Sequence, residues 1–82
     1  MAIEHFVWTA HAALRLEQRS LSRSDVEHAI REAHGERQSN DGKADWLIAG
    51  TTALGVQFEA VYDHPVGGDE TTALIVSAWR ID

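Results

Sequence analysis

Eighty-two residues are enough for one domain, and a chain this short buries only about 60% of the surface its unfolded form exposes, so its core is small and sensitive to substitution. Apolar residues make up 44% of the chain, an ordinary supply for a globular fold, and the absence of cysteine excludes disulfide staples, thiolate zinc sites and a cysteine nucleophile. Thirteen Asp plus Glu against seven Lys plus Arg give a formal net charge of -6, which argues against a broad basic grip on nucleic acid.

Glu4-His-Phe-Val-Trp8 is β-branched and aromatic and predicts a short strand, with Thr9 behind it as a good N-cap. Residues 10 to 19 predict a helix whose apolar stripe is Ala12, Ala13 and Leu16, widened by Ala10 and Leu14. Ser20-Leu21-Ser22 is a connector, and Ser22-Arg-Ser-Asp25 has the shape of a capping box with a short acidic partner. Val26, Ala29, Ile30 and Ala33 recur at i, i+3, i+4 and i+7 and define a second helix, with Gly35 as its left-handed stop. Glu36 to Lys43 is polar, and Asn40-Asp41-Gly42 signals a turn. Ala44 to Ala49 predicts a strand and Gly50-Thr51-Thr52 a turn. From Leu54 to Tyr62 the chain alternates, with Val56, Phe58, Ala60 and Tyr62 on one face and Gln57, Glu59 and Val61 on the other. Asp63 to Glu70 is the longest break and holds the only proline; Thr72 to Trp79 predicts the last strand. Helices with one apolar stripe each need a sheet to lie on. The order β-α-α-β-β-β therefore implies a single α+β domain over residues 1–82, an antiparallel sheet with a helical hairpin on one face.

His11, Arg15 and Arg19 stand four apart on the first helix and, with Gln18, share roughly a quarter of its circumference. Like charges at this spacing cost a few tenths of a kcal/mol per pair, about what a bound anion such as phosphate would offset. The plain alternative is a solvated face balanced by Glu17 and the acidic loops. In Ser77-Ala-Trp-Arg80, Ser77 and Trp79 share one side of the last strand and Arg80 falls on the other; an aromatic beside an arginine can stack a nucleobase while the guanidinium holds the backbone. No His-Glu-x-x-His pattern occurs, and His28 and His34 are six apart, so neither metal nor cofactor is expected. No basic stretch followed by an apolar run opens the chain, and no apolar run approaches the ~20 residues that span a bilayer. A cytoplasmic protein without membrane contact is the expectation.

These residues carry a resemblance. His11-Ala12, Arg15, Arg19, Leu21-Ser22, Asp25-Val26 and Ser77-Ala78-Trp79-Arg80 resemble, over nearly the whole chain, a small prokaryotic family of unassigned function built on a His-Ala-x-x-Arg-x-x-x-Arg helix. Ser20 stands where that family often has Gly, and Trp79 where Tyr is commoner. Its layout is similar to the RelE/ParE and BrnT group of toxin–antitoxin proteins, several of which cleave messenger RNA. The resemblance implies a RelE/ParE toxin-like fold and a metal-independent endoribonuclease. His11 would be its acid or base, and Arg15, Arg19 and Arg80 would hold the phosphate. Gln18, Ser77 and Trp79 would contact substrate, and the partners would be RNA and a cognate antitoxin protein. Two other readings stay open: a non-catalytic module using the same face for a nucleotide, RNA or protein, and a subunit whose role is only to bind a partner chain.

Overall fold

Alternation places the centre of the structure. Phe58, Ala60 and Tyr62 lie fully buried along one face of a strand, β4 (Gln57–Asp63), whose neighbours and covering helices supply the rest of the core. The fold is taken from a computed structural model that describes residues 3–81, with the backbone alone for residues 33 and 34. Around β4 stand β1 (His5–Trp8), β2 (Gln38–Ser39), β3 (Trp46–Thr51) and β5 (Thr72–Arg80). Helices α1 (Ala10–Gln18) and α2 (Arg23–Ala33) follow β1, and a 3₁₀ turn (His34–Glu36) leads from α2 to β2.

The architecture is α+β, but the sheet is mixed and five-stranded rather than antiparallel and four-stranded, with order β1-β5-β4-β3-β2. β1 pairs parallel to β5, His5 opposite Thr72 and Trp8 opposite Ile75, while every other pairing is antiparallel. The last four strands form a meander of short returns, and such returns reverse direction by construction. β1 reaches the far edge by way of two helices instead. Alternation within a strand says nothing about the direction of so distant a partner. The added strand, β2, pairs Gln38 and Ser39 with Leu47 and Trp46, too briefly for any pattern to show.

Gly50 and Thr51 belong to β3, not to a turn. The hairpin closes later, where the Thr52 N–H donates to the Val56 carbonyl at 2.9 Å and Gly55 takes φ 84°. Gly35 lies in the 3₁₀ turn and not in a left-handed stop. The Ser22 hydroxyl meets the Ser24 hydroxyl at 2.9 Å, in place of a reciprocal cap with Asp25.

One core joins helices and sheet. Ala12 and Leu16 of α1 and Val26 and Ile30 of α2 pack with Ile48, Phe58, Tyr62 and Ile75. The α1 stripe is narrower than its composition suggests, since Leu14 remains 53% exposed and Ala10 is exposed too. Among the described residues no helix is long and apolar enough to cross a membrane.

α1 ends in a Schellman motif. The Leu21 N–H reaches the Leu16 carbonyl at 3.0 Å and the Ser20 N–H the Glu17 carbonyl at 3.2 Å, which forces Ser20 to φ 55°. A side chain in this left-handed region costs about 1 kcal/mol, partly offset by the lower entropy of its unfolded state. Ser20→Gly is expected to raise stability by about 0.5 kcal/mol. Chemical denaturation measures it, and a loss of stability would contradict the assignment.

Candidate functional site

Thr9 fastens the start of α1 to the sheet. Its N–H continues the β1 ladder to the Ile75 carbonyl at 3.2 Å, its hydroxyl donates to the Val76 carbonyl at 3.2 Å, and the same oxygen accepts from the Ala12 N–H at 3.0 Å. The expected N-cap is therefore also a tether. Val76 is itself irregular: Val61 pairs with Ser77 and Tyr62 with Ile75, which leaves Val76 as the extra residue of a bulge.

A cleft of about 620 Å³ opens beside this bulge. Val61, Val76 and Ala44 give it apolar lining, Thr9, His11 and Ser77 flank it, and Trp79 forms a wall. The loop before β3 contributes Asn40, Gly42 and Lys43. That loop is internally tied, the Asn40 N–H to the Asp45 carbonyl at 3.0 Å and the Asn40 side-chain amide to the Ala44 carbonyl at 3.1 Å. The Asp45 N–H also donates to the Asp63 carboxylate at 2.9 Å. Trp79 is half-buried, and its indole Nε1 donates to Glu59 Oε1 at 3.1 Å, which orients the ring.

The residues singled out from the sequence divide between two places. His11, Ser77 and Trp79 line the cleft; Gln18, Arg19 and Arg80, with Ser20, line a second depression of about 270 Å³. Arg15 lines neither. A shared helix face is not a shared location: at 1.5 Å per residue, His11 and Arg19 are about 12 Å apart along the axis. Register separates the ends of β5 as well. Trp79 pairs with Glu59 on the sheet face away from the core, whereas Arg80 pairs with Phe58 on the helix-covered face. Among the described residues no carboxylate lies within ion-pair distance of Arg15, Arg19, Arg80 or Lys43.

Other arginines have packing roles. The Arg23 guanidinium lies 5.6 Å from the Trp8 ring and that of Arg31 5.3 Å from Phe6. Arg37 stacks on Trp46 at 3.6 Å and meets His64 Nδ1 at 3.0 Å. His64 Nε2 meets the Glu70 carbonyl at 2.7 Å. A carbonyl only accepts and a guanidinium only donates, so His64 carries its proton on Nε2 and accepts at Nδ1. Burial raises the Tyr62 phenol above its ordinary value, against an opposing pull from its hydrogen bond to Arg37. This Arg37–Tyr62–His64 network escaped sequence reasoning, as did Asn40 and Lys43 in the cleft. Only the turn signal Asn40-Asp41-Gly42 marked the loop, and it carries no hint of a site.

Among the described residues no three His, Asp or Glu side chains gather as metal ligands would. Comparison with family models, curated proteins and solved structures finds no match for this chain.

Proposed function

We propose that the protein is a small RNA-binding domain of RelE/ParE-like type that takes one nucleotide of a single strand into the cleft beside α1. The observation that carries this reading is the Trp79 ring, held by Glu59 at the wall of a cleft that His11, Lys43 and Ser77 also line. A volume of about 620 Å³ lies within the range of small-ligand sites. The base stacks on Trp79, Ser77 and Asn40 meet its polar edge, and Lys43 with the positive end of α1 faces the phosphate. Arg19 and Arg80, in the second depression, hold a neighbouring phosphate of the same strand.

So few cations make a shallow electrostatic grip. Two phosphates neutralised on a single strand give a slope of log affinity against log salt of about -1.4. Stacking on one aromatic contributes about 1–3 kcal/mol. Trp79→Ala is therefore expected to weaken binding of a labelled oligoribonucleotide about tenfold or more, measured by anisotropy at low salt. No binding by the wild type, or equal binding by the variant, overturns the proposal.

A second reading makes the cleft the site of a metal-independent, toxin-type endoribonuclease, favoured by the position of His11 in its lining. The 2′-hydroxyl would attack the adjacent phosphorus and the 5′ oxygen would leave, with the imidazole taking or giving a proton and Lys43 facing the phosphorane charge. A cognate antitoxin would then cover this face. Cleavage of RNA, with or without ribosomes, that His11→Ala abolishes selects this reading; intact RNA retained on the protein selects the first.

A further inference from the structure

The two edges of the sheet are finished differently. At β1, side chains of α2 stand over the strand: Arg31 over Phe6, Arg23 over Trp8, and Glu27 accepting from the Trp8 indole at 2.8 Å. Charges placed beside an edge strand discourage further pairing. At the opposite edge β2 covers only Trp46 and Leu47 of β3. The hydrogen-bond alternation fixes where the remainder points. Thr52 bonds Val56, so Gly50 and Ile48 also bond across to β4, and Ala49 and Thr51 turn their N–H and C=O groups away from it. Both residues are exposed. From Trp46 to Phe58 there is neither charge nor proline, in a chain of net charge -6. At the hairpin tip Leu54 is 93% exposed. Next to the open edge lies a depression of about 160 Å³ lined by Leu47, Ile48, Ala49 and Gln38, with Glu36 and Glu59 also bordering it.

We infer that β3 pairs antiparallel with β3 of a second copy of this chain, about a two-fold axis at Gly50. The occupant is a second copy because the edge complements itself. With the axis at Gly50, outward-facing Ala49 of each chain meets outward-facing Thr51 of the other, making four backbone hydrogen bonds and leaving no outward group of these residues unmatched. Pairing ends at residue 52, where each chain turns into its hairpin. Residue 53 would stand opposite Leu47, where β2 of the other copy begins. The same register brings Leu54 of each copy to the depression beside Leu47 of the other, an isologous contact. The uncharged stretch lets two acidic chains approach here. A two-fold axis perpendicular to the sheet leaves both Trp79 clefts on the same side of one continuous ten-stranded sheet. The pairing depends on the backbone of β3 and stands whether or not the cleft binds RNA.

Sedimentation equilibrium of the protein without RNA, at submillimolar concentration, is expected to give twice the chain mass of 9.1 kDa. Leu54→Glu sets a carboxylate beside Glu36 and is expected to raise the dimer dissociation constant about tenfold or more. Circular dichroism confirms that this exposed position leaves the fold intact. The chain has no cysteine, so introduced thiols report the register. Ala49→Cys mixed with Thr51→Cys cross-links on mild oxidation, and neither variant cross-links alone. A wild type that stays at 9.1 kDa, a dimer indifferent to Leu54→Glu, or Ala49→Cys joining to itself overturns the inference.

Discussion

Arg37→Ala is expected to lower the stability of the folded domain by about 3 kcal/mol. The guanidinium stacks on Trp46 at 3.6 Å, donates to His64 Nδ1 at 3.0 Å and bonds the phenol of Tyr62. Tyr62 is fully buried and His64 is 9% exposed, so water replaces the lost donor poorly. Each buried polar group deprived of its partner costs about 1–3 kcal/mol, and a desolvated cation–π contact contributes about 1–2 kcal/mol. For an 82-residue domain, whose total stability is about 4–12 kcal/mol, that loss is severe. Arg37→Lys rescues little, since an ammonium cannot both lie flat on the indole and donate in two fixed directions. Urea unfolding measures the effect, and a loss below about 1 kcal/mol would show the network to be incidental.

Burial of Tyr62 sets an alkaline limit, against the opposing pull of Arg37. Tyr62 has its folded pKa raised above the ordinary 10.0, so the folded state favours the neutral phenol. That contribution is fully present below pH 10.0 and is lost as the pH rises through the folded value. Tyr62 is the single tyrosine, so phenolate absorbance reports its ionisation directly.

Gly50→Val is expected to destabilise the domain by about 3 kcal/mol, against the prediction from strand propensity. Replacing glycine within a strand ordinarily gains stability, because glycine has the larger unfolded-state entropy. Here a β-carbon would stand 2.7 Å from the Ala29 methyl on α2 and 2.7 Å from the Phe58 ring. The Ala29 methyl cannot yield without moving α2 off the sheet, and the Phe58 ring is enclosed in the packed core. The test is a double-mutant cycle. Gly50→Ala should be less costly when Ala29→Gly has opened the contact, whereas additive losses would mean that the Ala29 methyl is not what excludes a side chain at Gly50.

The features that could be read from the sequence are those in which a local rule and the tertiary environment agree. β4 shows itself because Phe58, Ala60 and Tyr62 alternate strictly and are all buried; α2 shows itself through Val26 and Ile30, and Thr9 caps α1 as expected. Gly50 was hidden because its reason lies on α2, far along the chain. The direction of β1 was hidden for the same cause, since pairing with Thr72–Ile75 leaves no trace within His5–Trp8. In the site, helical periodicity grouped His11 with Arg19 but carried no information about depth, and Arg19 is the C-cap of α1 rather than part of its helical body. The first stands at the cleft and the second at the far end of the helix. Asn40 and Lys43 were illegible because a loop's position depends on what holds it, here the bonds to Ala44, Asp45 and Asp63.

The parallel union of β1 with β5 also governs when the molecule can be completed during synthesis. Thr9 and Val76 are 67 positions apart, and the length-dependent entropy of closing such a loop is about 4 kcal/mol. Until β5 has been made, β1 lacks the strand it pairs with, although Phe6 and Trp8 precede that strand by more than sixty positions. The meander can form its hairpins as it emerges, but the bulge at Val76 and the tether from Thr9 come together only afterwards. The cleft beside them therefore forms only once β5 is in place, and a translation product cut short before β5 has none.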